Sequence, residues 1–365
     1  MKRMITSESV TEGHPDKICD KVSDKILDTA LEQDKNSKMA VECTIKNDLI
    51  LIYGEATTNA KLEYEKIAKN VLKDIGYNNE FNVIVNVSEQ SKEINNAVCN
   101  KEIGAGDQGI MFGYATNETK EYMPLPILLA NKLTKQLADI RKKDNNSPLM
   151  PDGKSQITIE YEDNIPKRID TIVIASQHKE NITQEELQKY IKENVIDKVI
   201  PTELVDTSTK ILINTSGSFI IGGPFGDSGT TGRKIVVDSY GGSAKIGGGC
   251  FSSKDPTKVD RSAAYYARYV AKNIVHYNLC DICEIGVSYT IGYPNPTSIN
   301  IETFNTNKVP LKEIYEFVEK NFNFKVSNII EELQLQNPIY YDIASYGHFG
   351  RTELNLPWEQ IKRIH

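Results

Sequence analysis

One order of secondary structure recurs three times along this 365-residue chain, and it limits the fold more than any other feature. In each round, apolar residues first repeat at helical spacing, two short β-rich runs follow, and a second helical segment comes next. The rounds begin near residues 16, 124 and 256. Such units predict helices packed on one face of a mostly antiparallel sheet. We therefore expect an α+β fold of three similar domains related by pseudo-threefold symmetry.

The individual segments are short enough to be assigned from periodicity and turn residues. The predicted helices cover residues 16–33, 61–75, 124–142, 184–198, 256–276, 310–321 and 327–335. The predicted strands cover residues 40–46, 49–55, 81–87, 155–161, 169–176, 210–214, 284–291 and 297–303. Polar and glycine-rich stretches separate the rounds and indicate the domain boundaries. The predicted domains are residues 1–100, 101–221 and 222–365.

The composition excludes several classes of protein. Lys and Arg total 43 against 50 Asp and Glu, a net charge of −7, which argues against a nucleic-acid or anionic-membrane binder but leaves room for a local basic pocket. No apolar run approaches the roughly 18 residues of a membrane span, and the first residues lack the apolar core of a secretory signal. Six sparse cysteines predict a reduced, cytoplasmic protein.

Glycines concentrate in one region: ten of the 23 lie between Gly222 and Gly249. The basic residues interleaved with them or close behind are Arg233, Lys234, Lys245, Lys254, Lys258 and Arg261. Backbone N–H groups that can approach a ligand closely, together with cations, suit a polyphosphate. We expect Pro256 to open the next helix, whose first turn would add partial positive charge. The alternative is a set of tight turns with solvated lysines.

Two nucleotide-binding signatures fail here. A Walker A alignment puts Asp227, Arg233 and Lys234 where Gly, Lys and Ser or Thr are required. The segment from Gly104 to Gly109 does fit G-x-G-x-x-G, but no buried strand precedes it and no amphipathic helix follows. A dinucleotide site is therefore not predicted.

A helix start is predicted at Gly13-His14-Pro15-Asp16. Pro15 suits the first helical position, which puts the His14 imidazole and the Asp16 carboxylate where a phosphate and its metal can dock. The alternative is an ordinary helix start, in which Asp16 simply complements the helix dipole. Farther along, the single pair Cys280 and Cys283 predicts two buried thiols rather than a zinc site.

Taken together, five motifs resemble the S-adenosylmethionine synthetase (methionine adenosyltransferase) family. They are SESVTEGHPDK (7–17), GAGDQGIMFGYATNE (104–118), GGPFGDSGTTGRK (222–234), KDPTKVDRSAAY (254–265) and YGHFGR (346–351). The resemblance runs in order from Thr6 to Trp358 and is carried above all by GHPDK and GAGDQG.

The resemblance implies a transferase that makes S-adenosylmethionine from ATP and L-methionine. The methionine sulfur attacks C5′ of ATP and displaces triphosphate, which is then cleaved to diphosphate and phosphate. The implied cofactors are two Mg²⁺ per active site and one K⁺ per subunit. The implied assembly is a homodimer with shared active sites, paired into a homotetramer, although the sequence leaves dimer versus tetramer open.

The resemblance also implies roles for residues at matching motif positions. The catalytic residues implied are His14, as donor to the departing oxygen, with Lys154, Arg233 and Lys254. The ATP-binding residues implied are His14, Asp152, Lys154, Ser218, Phe219, Asp227, Arg233, Lys234, Cys250 and Lys254. The methionine-binding residues implied are Glu55, Gln90, Asp107, Asp227 and Lys258. The metal ligands implied are Asp16 and Asp260 for Mg²⁺ and Glu42 for K⁺. Residues 90–106 correspond to a mobile active-site loop.

The chain departs from the family pattern at a few positions. Ser218 replaces an Arg found in many bacterial relatives, Ser253 a common Gly, and Met150 an Arg, and the loop over 91–106 is a few residues shorter. Other functions remain as alternatives: a triphosphate hydrolase without productive methionine binding, a regulatory subunit, and an NAD-dependent dehydrogenase. Glu55, Gln90 and Asp107 argue against the hydrolase.

Overall fold

The computed structural model describes residues 2–89 and 103–364. Its helices are α1 (Pro15–Gln33), α2 (Tyr64–Ile75), α3 (Leu125–Lys143), α4 (Gln184–Ile191), α5 (Asp197–Val199), α6 (Ile235–Asp238), α7 (Val259–His276), α8 (Leu311–Asn321), α9 (Val326–Glu332) and α10 (Tyr340–Ile343). Its strands are β1 (Lys2–Val10), β2 (Lys38–Lys46), β3 (Leu49–Thr57), β4 (Asn82–Ser88), β5 (Gly109–Thr116), β6 (Leu149–Glu162), β7 (Ile165–His178), β8 (Lys210–Ile213), β9 (Gly229–Thr230), β10 (Ile282–Tyr289) and β11 (Ser298–Glu302).

The threefold repeat predicted from periodicity is confirmed. Each unit has a long helix, a β-hairpin and a second helix: α1, β2–β3 and α2 in the first, α3, β6–β7 and α4 in the second, and α7, β10–β11 and α8 in the third. In the first two units a further strand then joins the hairpin in parallel, β4 beside β3 and β8 beside β7. The other strand pairs are antiparallel.

Each hairpin also pairs with a strand from a distant part of the sequence. The first strand of the hairpin receives it in every unit: β9 pairs with β2, β1 with β6, and β5 with β10. The sheet orders are therefore β4-β3-β2-β9, β1-β6-β7-β8 and β11-β10-β5. Every sheet thus contains strands from both sides of a predicted boundary at residue 100 or 221. The domain boundaries therefore remain a prediction from the sequence.

Two apolar clusters form the core. The larger includes Ile18 and Val22 of α1 and Val259 and Ala263 of α7, and it runs through the first and third units. The smaller lies in the central unit, where α3 packs on β1 and β6 through residues such as Leu133. These long helices cover one face of each sheet, so the opposite faces and the loops between units are left to carry polar chemistry.

The structure corrects three local predictions. The helix expected from residue 256 begins at Val259, because Asp255 accepts the Thr257 N–H (2.8 Å) and the Lys258 ammonium and so holds the chain in a turn. The helix expected over 184–198 is α4, a turn of π-helix at Lys192–Ile196 and α5. The strands β1, β5 and β9 were not expected at all.

No helix in the described ranges is long and apolar enough to cross a membrane. The cysteines described, which leave out Cys99, are all free and buried. Cys280 and Cys283 are therefore two buried thiols, as the sequence predicts, and the described residues hold no cluster of three His, Cys, Asp or Glu side chains able to bind a metal ion.

Candidate active site

His14 lies at the start of α1, immediately before Pro15. Its Nδ1 accepts the Asp16 backbone N–H (3.1 Å), so the proton of the neutral ring is on Nε2. Burial, together with the charges of Lys234 and Lys154, lowers the pKa of His14 to about 3. The imidazole is therefore neutral at physiological pH and presents an N–H donor.

Asp16 is the centre of a cationic cluster in the first turn of α1. Its Oδ1 accepts the Thr230 N–H (3.0 Å), and its Oδ2 accepts from Lys234 Nζ (2.5 Å). Arg233 lies 3.7 Å from the same carboxylate and is more than half exposed. Burial opposes ionisation of Asp16, but Lys234 and the Thr230 N–H hold its pKa below the usual value. We call His14, Asp16, Arg233 and Lys234 the first cluster.

The beginning of β6 borders the first cluster. Thr11 donates its N–H to Gly153 O (2.9 Å) and its hydroxyl to Pro151 O (2.7 Å). A Cβ on Gly13 would lie 2.4 Å from Pro151 O, so only glycine permits this close approach. Lys154, opposite Val10 on β1, is exposed here, and its charge contributes to the low pKa of His14.

Asp152 connects β6 to the start of the glycine-rich stretch. Its Oδ2 accepts the Gly223 N–H (2.8 Å), whereas its buried Oδ1 has no partner. Burial raises the pKa of Asp152 to about 6, against the effects of the Gly223 N–H and Lys154. Asp227 is exposed nearby, and its N–H donates to Gly223 O (3.0 Å). An unpartnered buried oxygen is an unused acceptor for a ligand hydroxyl or amine.

Phe219 is half-buried and Ser218 exposed on the same segment. Two residues that sequence reasoning missed hold this segment. His178 Nε2 accepts the Phe219 N–H (3.0 Å), and Gln177 links the Asp152 N–H (3.2 Å) to Ile220 O (2.9 Å). The sequence offers no signal for them, because both lie at the end of a strand with no motif around them.

A second cluster surrounds Lys254. Its Nζ donates to Asp260 Oδ2 and lies 3.8 Å from Asp107 Oδ2. The Gly249 N–H also donates to Asp260 Oδ2 (3.0 Å). Burial tends to lower the pKa of Lys254, but the Cys250 thiol and Asp260 raise it above its usual value, so the ammonium stays charged. We call Asp107, Lys254 and Asp260 the second cluster.

The edge of β2 that faces away from β3 connects the two clusters. Thr44 pairs with Thr230, which binds Asp16, and Ala40 pairs with Lys254. These two positions of β2 are four residues apart, about 13 Å at strand rise. Glu42 lies between them, half-buried, and accepts the Tyr53 hydroxyl (3.2 Å). The glycine-rich loop bridges the clusters again, because a Cβ on Gly232 would lie 2.7 Å from the Cβ of Cys250.

The remaining predicted site residues have different surroundings. Glu55 is exposed on β3 opposite Ala40, and so one strand away from Lys254. Lys258 is buried with its ammonium bound to Asp255, which leaves it less available to a ligand than the other lysines. Burial raises the pKa of the Cys250 thiol to about 11. Gln90 and most of the predicted mobile loop lie outside the described residues.

The donor set suits a magnesium ion that is held partly by substrate. Mg²⁺ typically uses one or two carboxylates, waters and substrate phosphates rather than a dedicated protein cage. Asp16 and Asp260 each offer one carboxylate beside a lysine that can bind the same phosphate group. Glu42 offers a third carboxylate, on β2 between the two clusters. The residues therefore fit the metals implied by the resemblance.

This arrangement can bind a polyanion and stabilise a leaving group. Lys234, Arg233 and Lys254 supply fixed positive charge, and His14 supplies a neutral N–H donor. Such preorganised donors act where negative charge develops in a transition state. None of these side chains is arranged as an activated nucleophile, so the attacking atom has to come from a substrate.

The sequence is similar to known proteins along its full length. It matches three family models: the N-terminal domain of S-adenosylmethionine synthetase over residues 2–98, the central domain over 102–219 and the C-terminal domain over 221–360. It is 50% identical to an S-adenosylmethionine synthase of Clostridium botulinum (strain Alaska E43 / Type E3) over 384 aligned positions, which cover 100% of this chain and 98% of the relative. The S-adenosylmethionine synthases of Clostridium tetani and Staphylococcus epidermidis are 49% and 50% identical, with 100% of this chain covered and 98% and 96% of the relatives.

Proposed function

The chain belongs to the S-adenosylmethionine synthetase family, and we propose that its first and second clusters together hold the triphosphate of ATP while methionine attacks C5′. The reaction makes S-adenosylmethionine from ATP and methionine. The observation that carries this assignment is the pair of lysine–aspartate contacts, Lys234 with Asp16 and Lys254 with Asp260, each of which sets a cation beside a carboxylate.

The chemistry of the reaction explains why cations dominate the site. A thioether sulfur is a good neutral nucleophile, so no general base is required. The barrier comes from the leaving group, because negative charge grows on the triphosphate as the C5′–O bond breaks. Removing one donor from such a site commonly costs about 3–4 kcal/mol of transition-state stabilisation. Lys154, Arg233, Lys234 and Lys254 are the residues that we assign to this charge.

His14 is assigned to the departing oxygen. Its low pKa keeps it neutral, and the Asp16 N–H occupies Nδ1, so Nε2 remains as the donor. A neutral donor suits this position because it stabilises growing charge without adding another buried cation beside Lys234. We assign Asp152 and Phe219 to the nucleoside, with the free Oδ1 of Asp152 as an acceptor.

The family uses a divalent metal and K⁺, and we assign Asp16 and Asp260 to two Mg²⁺ ions and Glu42 to one K⁺. When bound, these ions neutralise charge on the triphosphate. Asp107, Asp227 and Glu55 are assigned to methionine, whose ammonium group needs carboxylate partners. The exposed positions of Glu55 and Asp227 leave both carboxylates accessible to a ligand.

A product assay tests the function. The protein is incubated with ATP, methionine, Mg²⁺ and K⁺, and S-adenosylmethionine, phosphate and diphosphate are measured together. We expect all three products in equal amounts. Phosphate without the sulfonium product would instead support a triphosphate hydrolase, and the absence of every product would support a regulatory subunit.

We also propose that the active site is shared between two copies of the chain in a homodimer, with the first cluster of one copy facing the second cluster of the other. Apolar side chains next to the site support a covered surface: Ile110 and Ile221 are 56% and 71% exposed. The homotetramer remains a further proposal, as does a cytoplasmic location, which the free thiols of the described cysteines support.

Complementation tests the shared site. His14→Ala and Lys254→Ala chains carrying different tags are co-expressed, and mixed dimers are purified through both tags. Each variant alone is expected to be nearly inactive. Mixed dimers should regain about half of the wild-type activity, because one of their two sites then has both clusters intact. Mixed dimers as inactive as the single variants would show that each copy holds a complete site.

A further inference from the structure

Four aspartates lie at every fourth position along one face of α1: Asp16, Asp20, Asp24 and Asp28. Residues four apart on a helix share a face and rise about 6 Å per step. All four are at most 4% exposed. A buried row of carboxylates is costly unless each one is bonded to a partner, so the partners show what the row does.

Asp20 and Asp24 bind the loops that carry the catalytic lysines. Asp20 Oδ1 accepts the Gly232 N–H (2.8 Å), directly before Arg233 and Lys234. Asp24 accepts the Ser252 hydroxyl (2.9 Å) and the Ser253 N–H (3.1 Å), directly before Lys254. One helix therefore fixes the backbone next to cations of both clusters.

A buried cation accompanies each of these carboxylates. Lys17 Nζ donates to Asp20 Oδ2 (2.7 Å) and also to Asp238. Arg261 donates to both oxygens of Asp24 (2.8 and 2.7 Å) and, through the same guanidinium, to Lys254 O (3.1 Å). Asp24 thus holds the Lys254 backbone both through the contacts with Ser252 and Ser253 and through Arg261.

Asp28 also accepts backbone N–H groups, in a different part of the fold. Its oxygens accept the N–H groups of Tyr340 (3.0 Å) and Tyr341 (2.8 Å) at the start of α10. The residues of α10 belong to neither cluster. Asp28 is therefore a control supplied by the fold, with the same helix face, burial and acceptor role.

We propose that Asp20 and Asp24 are positioning residues for the reaction, holding the segments that place Lys234 and Lys254 at the triphosphate; this rests on the proposed function of the two clusters. A displacement of about 1 Å in a catalytic group can cost about a hundredfold in rate. Backbone bonds from a rigid helix hold each lysine more firmly than loop residues alone, and in the shared-site arrangement one α1 helix positions one lysine of each of the two sites.

The first test compares Asp20→Asn, Asp24→Asn and Asp28→Asn in the full-length protein. Asparagine keeps the size and one acceptor oxygen but loses the charge and the second acceptor. We expect kcat to fall at least tenfold for Asp20→Asn and Asp24→Asn, with KM for methionine changed much less. We expect Asp28→Asn to lower the melting temperature while kcat stays within about twofold of wild type. Equal effects of all three on kcat would overturn the proposal.

A double-mutant cycle separates positioning from general damage. If Asp24 acts through Lys254, Asp24→Asn should change kcat less than threefold in a Lys254→Ala background, because the group that it places is already gone. A loss as large as in the wild-type background would overturn the proposal for Asp24. The same cycle with Lys234→Ala tests Asp20.

Two further measurements keep the test decisive. If Asp24→Asn does not fold, Ser252→Ala removes one of the same loop contacts and leaves the buried ion pair intact. This variant should lower kcat, and an unchanged kcat would count against the proposal.

The affinity for inorganic triphosphate can be measured by calorimetry even for a variant that makes no product. Weaker binding by Asp20→Asn and Asp24→Asn but not by Asp28→Asn supports positioning, and equal binding by all three overturns it, independently of the proposed function.

Discussion

Lys254 lies between two carboxylates, Asp260 and Asp107, and remains charged although it is largely buried. A charge held in this way is already desolvated before the substrate arrives, so it costs little reorganisation when the triphosphate departs. Lys245 lies within the glycine-rich stretch that precedes Lys254, but it is exposed and paired with Glu284 (2.7 Å). The two lysines have the same chemistry and different surroundings.

Lys254→Ala is therefore expected to lower kcat at least roughly tenfold, a loss of about 1.4 kcal/mol of transition-state stabilisation. Steady-state kinetics of S-adenosylmethionine formation measure it. Lys245→Ala is the control and should retain nearly wild-type turnover. Normal turnover by Lys254→Ala would contradict the assignment of this residue to the triphosphate.

Ser253 has a positive φ of 79°, and its buried hydroxyl has no partner. Glycine adopts this backbone conformation without strain. Ser253→Gly should therefore raise the free energy of unfolding by about 1 kcal/mol. Denaturant unfolding measures it, and Ser252→Gly, which loses a hydroxyl bound to Asp24, should lower the free energy instead. A destabilised Ser253→Gly protein would show that the serine side chain contributes a contact.

Asp152 gives a pH-dependent prediction. Burial raises the pKa of Asp152 from 3.8 to about 6, so the folded protein binds the carboxyl proton more tightly than the unfolded chain does. The protonated Asp152 therefore contributes fully to stability at pH values below its pKa in the unfolded chain. This contribution is lost as the pH rises through its pKa in the folded protein. Asp152→Asn is neutral throughout. The stability of this variant relative to wild type should therefore increase by about 3 kcal/mol across that pH range and level off above it. Urea unfolding at several pH values measures the difference, and a constant difference would refute the raised pKa.

At the scale of elements, α7 packs directly on β5 and β10. A Cβ on Gly113 of β5 would lie 2.0 Å from the Ala267 carbonyl carbon of α7. Gly286, on the neighbouring strand β10, would meet only the ring of Phe112, at 3.1 Å. The two glycines are thus in one sheet, but only Gly113 faces backbone that cannot move aside.

Gly113→Ala should therefore destabilise the protein by about 3 kcal/mol or more, because the helix or the strand has to shift. Gly286→Ala should cost less than about 1.5 kcal/mol, since an aromatic side chain can adjust. Thermal and denaturant unfolding compare the two. Similar losses would mean that β5 does not contact α7 as closely as described.

The elements also show what periodicity can and cannot predict. Long helices such as α1 and the hairpins carry their own signal, because their apolar spacing and turns are local. β1, β5 and β9 pair with strands far away in sequence, as Thr6 of β1 does with Thr158 of β6, and no local spacing or turn marks such a distant partner. The helix start at Val259 was missed for a related reason, since the Lys258–Asp255 contact that delays it is not a spacing pattern.

At the scale of the whole molecule, the strand exchange links the three units so that residues from distant motifs meet. β9 pairs with β2 and brings Thr230 to Asp16, and the bridge at Ala40 brings Lys254 to β2 as well. Motif resemblance is the source of the residues to which we assign the chemistry, because GHPDK and the glycine-rich stretch are distinctive. It did not predict Asp20, Asp24, Gln177 or His178, whose roles depend on the partners that the fold brings to them. The spacing of the aspartates by four was the only available signal.

The claim that joins these scales is that the whole triphosphate leaves from C5′. ATP labelled with ¹⁸O in the bridge between C5′ and the α-phosphorus tests it directly, with the products separated and analysed by mass spectrometry. We expect the label only in the diphosphate and phosphate, because the C5′–O bond breaks and the oxygen departs with phosphorus. Label retained in adenosine or in AMP would mean that a bond to phosphorus breaks instead, and would contradict this mechanism.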